Sequence, residues 1–385
     1  MGNLYYITLY LLGVNNKLLI DIINIVPKKE LSKLFTEECL NFQFKYSLDL
    51  SKVYSALNDK SNVYKQRIKA QEIITKSREL GIKIIPINSR NYPKILKEID
   101  NPPAILYLKG KNIVKDDEKS VGCVGTRVPT EFGTRAVASI VSNLTKEGFT
   151  IISGLAYGID KESHEACLNN NGKTIAVLAH GLDTLYPKEH SDLEERILKN
   201  DGTIISEYPV GTKADKFRFV DRNRIVSGLS KGLIVFEAKE KSGTMHTVNF
   251  ALSQKKKVFC PVPVKKEEQT LGLYKLLNEK KAIGIKTKDN YDVIVNELGY
   301  KVKNDKDLIM RNKHEKMSSL INTEDGLLKE IYTLTLDKRA SFGVEKEVYE
   351  NFKSILSEND LSLKEFFNAV ILNIVKNYKK GKRDE

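Results

Sequence analysis

The sequence predicts an α/β protein: a doubly wound, mostly parallel, Rossmann-like sheet flanked by small helical N- and C-terminal domains. Three observations predict it. From Val121 to Val262, short runs of Val, Ile and Leu alternate with helix-length segments, the pattern of strands buried on both faces. Residues 1–80 carry helical rather than alternating periodicity. Beyond about residue 290 a polar, charged stretch sets a second helical segment apart.

In the first domain, 1–80, Leu4, Ile7, Leu11 and Leu12 share one helix face; Val63, Ile68, Ile73, Ile74 and Leu80 share another, and Gly81 stops that helix. The main domain, 81–290, opens with a short strand over 82–87. Pro-punctuated stretches at 91–96 and 101–107 then form a connector leading onto an edge strand, and 115–119 is a charged surface loop. Strands follow at 121–125, 150–153, 174–179, 203–207, 233–237 and 258–262. The clearest helix between them is 132–146, where Val137, Ile140, Val141 and Leu144 form one apolar face. In the third domain, 300–385, a linker at 300–316 precedes an amphipathic helix over 361–378, whose Leu363, Phe366, Val370 and Ile374 stripe reads as core.

An excess of 63 basic over 50 acidic residues, +13 net, suits a polyanionic partner. Cys39, Cys123, Cys167 and Cys260 form no CxxC pair and have no His at ligand spacing. That points away from a metal site or a disulfide framework and towards a reducing cytoplasm. The apolar stretch 4–14 lacks a preceding basic region and is far short of a membrane span. No membrane partner is expected.

The chemistry concentrates in three turns. Thr150-Ile-Ile-Ser-Gly-Leu-Ala-Tyr-Gly-Ile-Asp160 is a strand ending in Ser153-Gly154 and opening onto a helix, which makes a shelf of backbone N–H groups suited to phosphate. Val121-Gly-Cys-Val-Gly-Thr-Arg127 and Phe219-Val-Asp-Arg-Asn-Arg-Ile-Val-Ser-Gly-Leu-Ser230 share that grammar. In a doubly wound sheet such turns meet at the carboxyl edge, where ligands bind. The first turn is spaced GxxG rather than GxGxxG, and the second strand does not end in an acid, so a dinucleotide is not expected. No P-loop occurs at these turns, and no cofactor is expected.

Arg127, Lys173, Arg222 and Arg224 supply cationic donors around these turns. Arg222 and Arg224 lie two residues apart, about 200° around a helix, so one should meet phosphate and the other a carboxylate, with Glu207 or Glu237 as candidates. Asp221 is the expected N-cap of their helix. Ser242-Gly-Thr-Met-His-Thr247 is either another anion turn or an ordinary helix start. His164, His180 and His246 have no partner in sequence that implies catalysis or metal binding.

In order along the chain stand Val124-Gly-Thr-Arg127, Ser153-Gly-Leu-Ala-Tyr-Gly-Ile-Asp160, Gly172-Lys-Thr-Ile-Ala-Val-Leu178, Gly181-Leu-Asp-Thr-Leu-Tyr-Pro187, Ser206-Glu-Tyr-Pro209, Arg222-Asn-Arg-Ile225 and Ser242-Gly-Thr244. With Tyr92-Pro93 and Asn101-Pro-Pro-Ala-Ile-Leu-Tyr107 upstream, this ordered set resembles the DNA-processing protein A family (DprA, also called Smf) from about residue 80 to 287. The resemblance implies a non-enzymatic, cytoplasmic protein that binds single-stranded DNA, loads a RecA-type recombinase onto it in transformation or recombination, and forms a homodimer through the Rossmann-like domain. By matching motif it implies strand-binding roles for Gly125, Thr126, Arg127, Ser153, Gly154, Lys173, Arg222, Asn223 and Arg224. Tyr157 stands where the family commonly has a basic residue, and we expect it to stack on a base instead.

A rival reading is a nucleotide-ligand sensor or a phosphoribohydrolase of the Lonely-guy type, from the same superfamily. Those hydrolases carry paired glycines and an essential glutamate where this chain has Ser242-Gly-Thr-Met-His-Thr247. Without that carboxylate, glycosidic cleavage lacks its best candidate group.

Overall fold

The computed structural model describes residues 2–36, 39–286 and 291–302, with Ser354 and Ser357 beyond them. Nine strands form one sheet: β1 Lys83–Pro86, β2 Ile105–Gly110, β3 Ser120–Val124, β4 Thr150–Ser153, β5 Thr174–Leu178, β6 Thr203–Ser206, β7 Gly232–Val235, β8 Lys257–Pro261 and β9 Ile283–Ile285. Their spatial order is β1-β2-β6-β5-β4-β3-β7-β8-β9. From β6 through β9 every pairing is parallel, while β1 and β2 join one side antiparallel. The α/β, mostly parallel prediction therefore holds. Every residue of β3 through β7 is buried, which explains the continuous Val/Ile runs. β9 escapes sequence reading because three residues make too short a run.

Thirteen α-helices lie among the described residues within 2–302. α1 Gly2–Leu11, α2 Asn16–Ile25, α3 Cys39–Tyr46, α4 Tyr54–Asn58 and α5 Lys60–Glu79 precede the sheet. α6 Lys94–Lys97, α7 Glu131–Lys146, α8 Ile159–Leu168, α9 Ser191–Lys199, α10 Lys216–Gly228, α11 Gly243–Ser253, α12 Leu271–Asn278 and α13 Tyr291–Glu297 follow. α7 packs on α8 and α13, and α10 on α11 and α6. The chain steps outward from β3 through β4 to β6, then returns to place β7 on β3's other side. The order reverses there, so the carboxyl ends of β3 and β7 flank the switch point.

The helical start shares its core with the sheet. Tyr6, Ile7 and Leu9 of α1 and Leu19, Ile22 and Ile23 of α2 are buried in one cluster with Ile85, Leu106 and Tyr107. Asn88 Nδ2 donates to Ile23 O at 2.8 Å, and Lys76 reaches Asp183 at 2.7 Å. Of the apolar face expected on α5, Ile68 and Leu80 are in fact exposed, because this helix lies against α1 and α4 with part of its surface in solvent. Two compact units divide the chain, Met1–Lys301 and Val302–Glu385. Tyr300, expected in a linker, packs edge-on to Phe149 at 5.3 Å, and the helix expected at 361–378 lies outside the described residues.

Candidate nucleic-acid interface

A cleft of about 750 Å³ opens at the switch point. The turn after β3 supplies Gly125, Thr126 and Arg127; the loop after β7 supplies Lys239 and Ser242 to Thr244; α10 supplies Lys216, Phe219, Arg222 and Asn223; and the loop after β5 supplies Tyr186. Gly125 must be glycine, because a Cβ there would lie 2.5 Å from Ile159 Cγ1. Glu237 holds this turn. Its backbone oxygen accepts from Thr126 N at 2.9 Å, and its buried carboxylate accepts from Thr130 N at 2.8 Å and Thr130 Oγ1 at 2.5 Å. Thr244 Oγ1 donates to Gly125 O at 3.1 Å, tying the start of α11 to the same turn.

The cleft presents unused donors. Among the described residues Arg127 and Lys216 form no ion pair, whereas Lys239 is paired with Glu268 at 2.8 Å. Ser242 occupies the N-cap position of α11, but its hydroxyl turns back to Lys239 O, so it does not cap the first-turn amides that face the cleft. The positive end of an 11-residue helix thus adds to two free cations. Aromatic faces line the same space: Tyr186 packs on Phe219 at 5.7 Å, and the Arg127 guanidinium sits over the Phe219 ring at 5.6 Å.

The turn after β4 is different. Its amides are already occupied, since Asp160 Oδ2 accepts from Gly154 N at 3.1 Å and from Ala156 N at 3.4 Å. Ser153 Oγ donates to Cys123 O at 2.6 Å. The shelf expected for phosphate is filled from within by a carboxylate six residues downstream. Burial pushes the Asp160 carboxyl up, and Arg222 opposes that shift. Arg222, itself 4% exposed, donates Nη1 to Gly154 O at 2.7 Å and to Val177 O, and Nε to Asn223 Oδ1 at 3.1 Å. Gly154 has no Cβ because one would collide with the Arg222 guanidinium. Ser153 and Gly154 therefore build the floor behind the cleft.

Asp221 is not the cap of the arginine helix. α10 begins at Lys216, and Asp215 accepts from Phe217 N at 2.8 Å. Asp221 lies within the helix, so Arg222 and Arg224 sit two turns in rather than at its positive end. They point apart, as a 200° separation requires. Arg224 forms a two-pronged pair with Glu207, at 2.7 and 2.6 Å, and donates Nε to Asn101 O at 3.0 Å. Of the two candidates Glu207 is the partner, and Arg224 faces away from the cleft.

Two further expected residues are not brought to the cleft. Lys173 precedes β5, at the opposite edge of the sheet, and pairs with Asp117 at 2.8 Å. Tyr157 donates its hydroxyl to Glu189 at 2.8 Å and sets its ring edge-on to His190 at 5.1 Å. Sequence reasoning missed Tyr186, Phe219 and Lys216. Tyr186 meets Phe219 only through a long-range contact, which no local pattern announces. The signal within reach was Lys-Phe-Arg-Phe, cations alternating with aromatics at 216–219.

Two buried histidines are held through Nδ1 by neighbouring oxygens. His164 Nδ1 lies 2.7 Å from Thr174 Oγ1, and burial, with His190 and Arg222 nearby, drops its pKa to about 3. His180 Nδ1 donates to Gly181 O at 2.9 Å. No cluster of His, Cys, Asp or Glu suited to a metal ion occurs among the described residues, and none of their helices is long and apolar enough to cross a membrane.

Fold and cleft together define a Rossmann-like protein with a cationic, aromatic-walled cleft at its switch point. The chain belongs to the family described as DNA recombination-mediator protein A, whose model matches residues 83–297. It is 42% identical over 192 residues to DNA processing protein DprA of Bacillus subtilis, covering 50% of this chain and 64% of that protein. It is 46% identical over 172 residues to protein Smf of a Synechocystis species, covering 44% and 43%. The matched stretch thus spans less than two thirds of these relatives. The solved DprA of Streptococcus pneumoniae superposes with a TM-score of 0.60 and 27% identity, over 75% of this chain and 96% of that one. A Helicobacter pylori DprA structure, described as revealing a single-stranded DNA binding mode, gives 0.51 and 29%, over 56% and 96%.

Proposed function

We propose that the protein binds single-stranded DNA in the switch-point cleft and, without catalysing a reaction itself, mediates loading of a RecA-type recombinase in DNA uptake or recombination, as a cytoplasmic homodimer. The observation that carries this reading is the pairing of two unneutralised cations, Arg127 and Lys216, with the half-buried Phe219 and the exposed Tyr186 in one cleft. Cations take the backbone and aromatic faces take unpaired bases, a combination that a duplex with stacked bases cannot use. The single-stranded DNA binding described for the Helicobacter pylori protein supports the reading. The nucleotide-hydrolase alternative has weak support. Asp160, the carboxylate in the cleft floor, is engaged by two backbone amides and sits against Arg222, so it is poorly placed as a free acid or base.

The test is a titration of single- and double-stranded oligonucleotides over a salt series, with nucleotide release monitored alongside. Single strands should bind tighter at physiological salt, with affinity falling steeply as salt rises and no free base or phosphate appearing. A strand-exchange assay with a RecA-type recombinase on strands coated by single-strand binding protein should run faster with this protein present. Equal affinity for duplex, or base release, would overturn the reading.

A further inference from the structure

A second cleft, of about 380 Å³, opens where the N-terminal helical segment meets the sheet. Tyr10 of α1 with Gly13 and Asn15 of the turn before α2 form one wall, and Tyr107, Glu207 and Tyr208 of the sheet domain form the other. The hydroxyls of Tyr10, Tyr107 and Tyr208 have no hydrogen-bond partner among the described residues. Tyr10 is 38% exposed and Gly13 faces open space. Glu207 is neutralised by its two-pronged pair with Arg224, so the cleft does not select for a cation.

The first turn of α10 reaches both clefts: Lys216 and Phe219 line the first, and Arg218 lies over Tyr208, which lines the second. Along it, each of three aromatic rings carries a cation on its face. Arg127 covers Phe219 at 5.6 Å, Lys216 covers Phe217 at 5.2 Å, and Arg218 covers Tyr208 at 5.3 Å. Phe219 lines the first cleft, Phe217 is 69% exposed, and Tyr208 lines the second. Rings for bases alternating with cations for phosphates make a track for an unpaired strand.

We infer that a single strand leaving the switch-point cleft crosses the start of α10 and places a base in the Tyr10–Tyr107–Tyr208 cleft, so that the helical N-terminal segment contacts nucleic acid directly. This rests on the strand-binding reading above. It gives the N-terminal helices a ligand-contacting role, which the switch-point cleft alone does not.

The test measures anisotropy of labelled oligothymidylates, about 4 and about 16 residues long, against the full chain and its Tyr10→Ala, Tyr208→Ala and Tyr64→Ala variants. Tyr64 is 69% exposed on α5 and serves as the control. Tyr10→Ala and Tyr208→Ala should each weaken the long oligomer about five- to a hundredfold and leave the short one unchanged. Tyr64→Ala should change neither. Because Tyr10→Ala could loosen α1, the wild type is also photocrosslinked to long oligomers carrying 5-iodouracil at successive positions. A crosslink mapping to the peptide containing Tyr10 or Tyr208 supports the track. Crosslinks confined to the Tyr186 and Phe219 peptides overturn it, as does equal loss, or no loss, at both lengths. If Arg127→Ala abolishes binding while the tyrosine variants keep full affinity, only the second cleft falls. If the wild type binds no single strand, both readings fall.

Discussion

The turns after β3 and after β4 look alike in sequence and end in opposite states. Both leave a buried parallel strand through a glycine and lead to a helix at the same edge of the sheet. After β4, Asp160 reaches back and takes the amides of Gly154 and Ala156. After β3, among the described residues, it is the Glu237 carboxylate that engages the turn, binding Thr130 at its far end and leaving Arg127 facing the cleft. The two arginines follow suit: Arg222 is sealed among backbone carbonyls, and Arg127 is exposed. A glycine turn is an anion site only where its own chain supplies no carboxylate able to occupy it first.

Substitutions can separate the sealed turn from the open one. The largest effect belongs to Arg222→Ala, which strands the Asp160 charge in the interior and should cost about 3–5 kcal/mol in urea denaturation. Arg127→Ala should leave that denaturation curve in place. It should instead weaken single-strand binding by about 1.5–3 kcal/mol and lower the salt slope by about 0.7, one phosphate's worth. A stability loss at Arg127 matching that at Arg222 would erase the contrast.

His164, close enough to Arg222 to feel its charge, gives a pH signature. Its pKa is near 6.5 in the unfolded chain and about 3 when folded, so between these values the unfolded chain holds more protons and stability rises with pH. Taking the protein from pH 7 to pH 5 should cost about 2 kcal/mol through this group. Asp160 works with the opposite sign, since its folded pKa is raised, so the His164 contribution is read as the difference between wild type and His164→Leu across that range. An acid limb equally steep in both proteins would remove histidine from the account. The smallest effect should come from Lys173→Ala: no loss of strand affinity, and under about 1 kcal/mol of stability from its part-exposed pair with Asp117. A clear affinity loss would show that the strand runs around to the opposite sheet edge.

Much of this was legible in the chain. Fully buried strands announce themselves as unbroken β-branched runs, and the switch point follows from their alternation with helices. The opposed arginines of α10 follow from helical geometry, and one of the two candidate carboxylates does pair with Arg224. The start of α10 was not legible, because Lys-Phe-Arg-Phe-Val-Asp-Arg has no 3.6-residue apolar rhythm and two aspartates could cap it. Nor was the capture of Lys173 by Asp117, 56 residues away in sequence. The bond from the Tyr157 hydroxyl to Glu189 was not legible either, because Glu189 lies 32 residues further along the chain.

The close fit of Gly154, Asp160 and Arg222 also bears on how such a molecule can change by descent. Any side chain at 154 meets the guanidinium, and loss of either charged partner leaves the other uncompensated in the interior. Single steps at these three positions therefore lead downhill, and viable alternatives require changes made together. Arg127, Lys216 and Phe217 face solvent and answer to no such partnership, so each is open to one-at-a-time variation. Strand preference can drift at the front of the cleft while the back stays fixed, which lets lineages retune what the protein grips without risking its ability to fold.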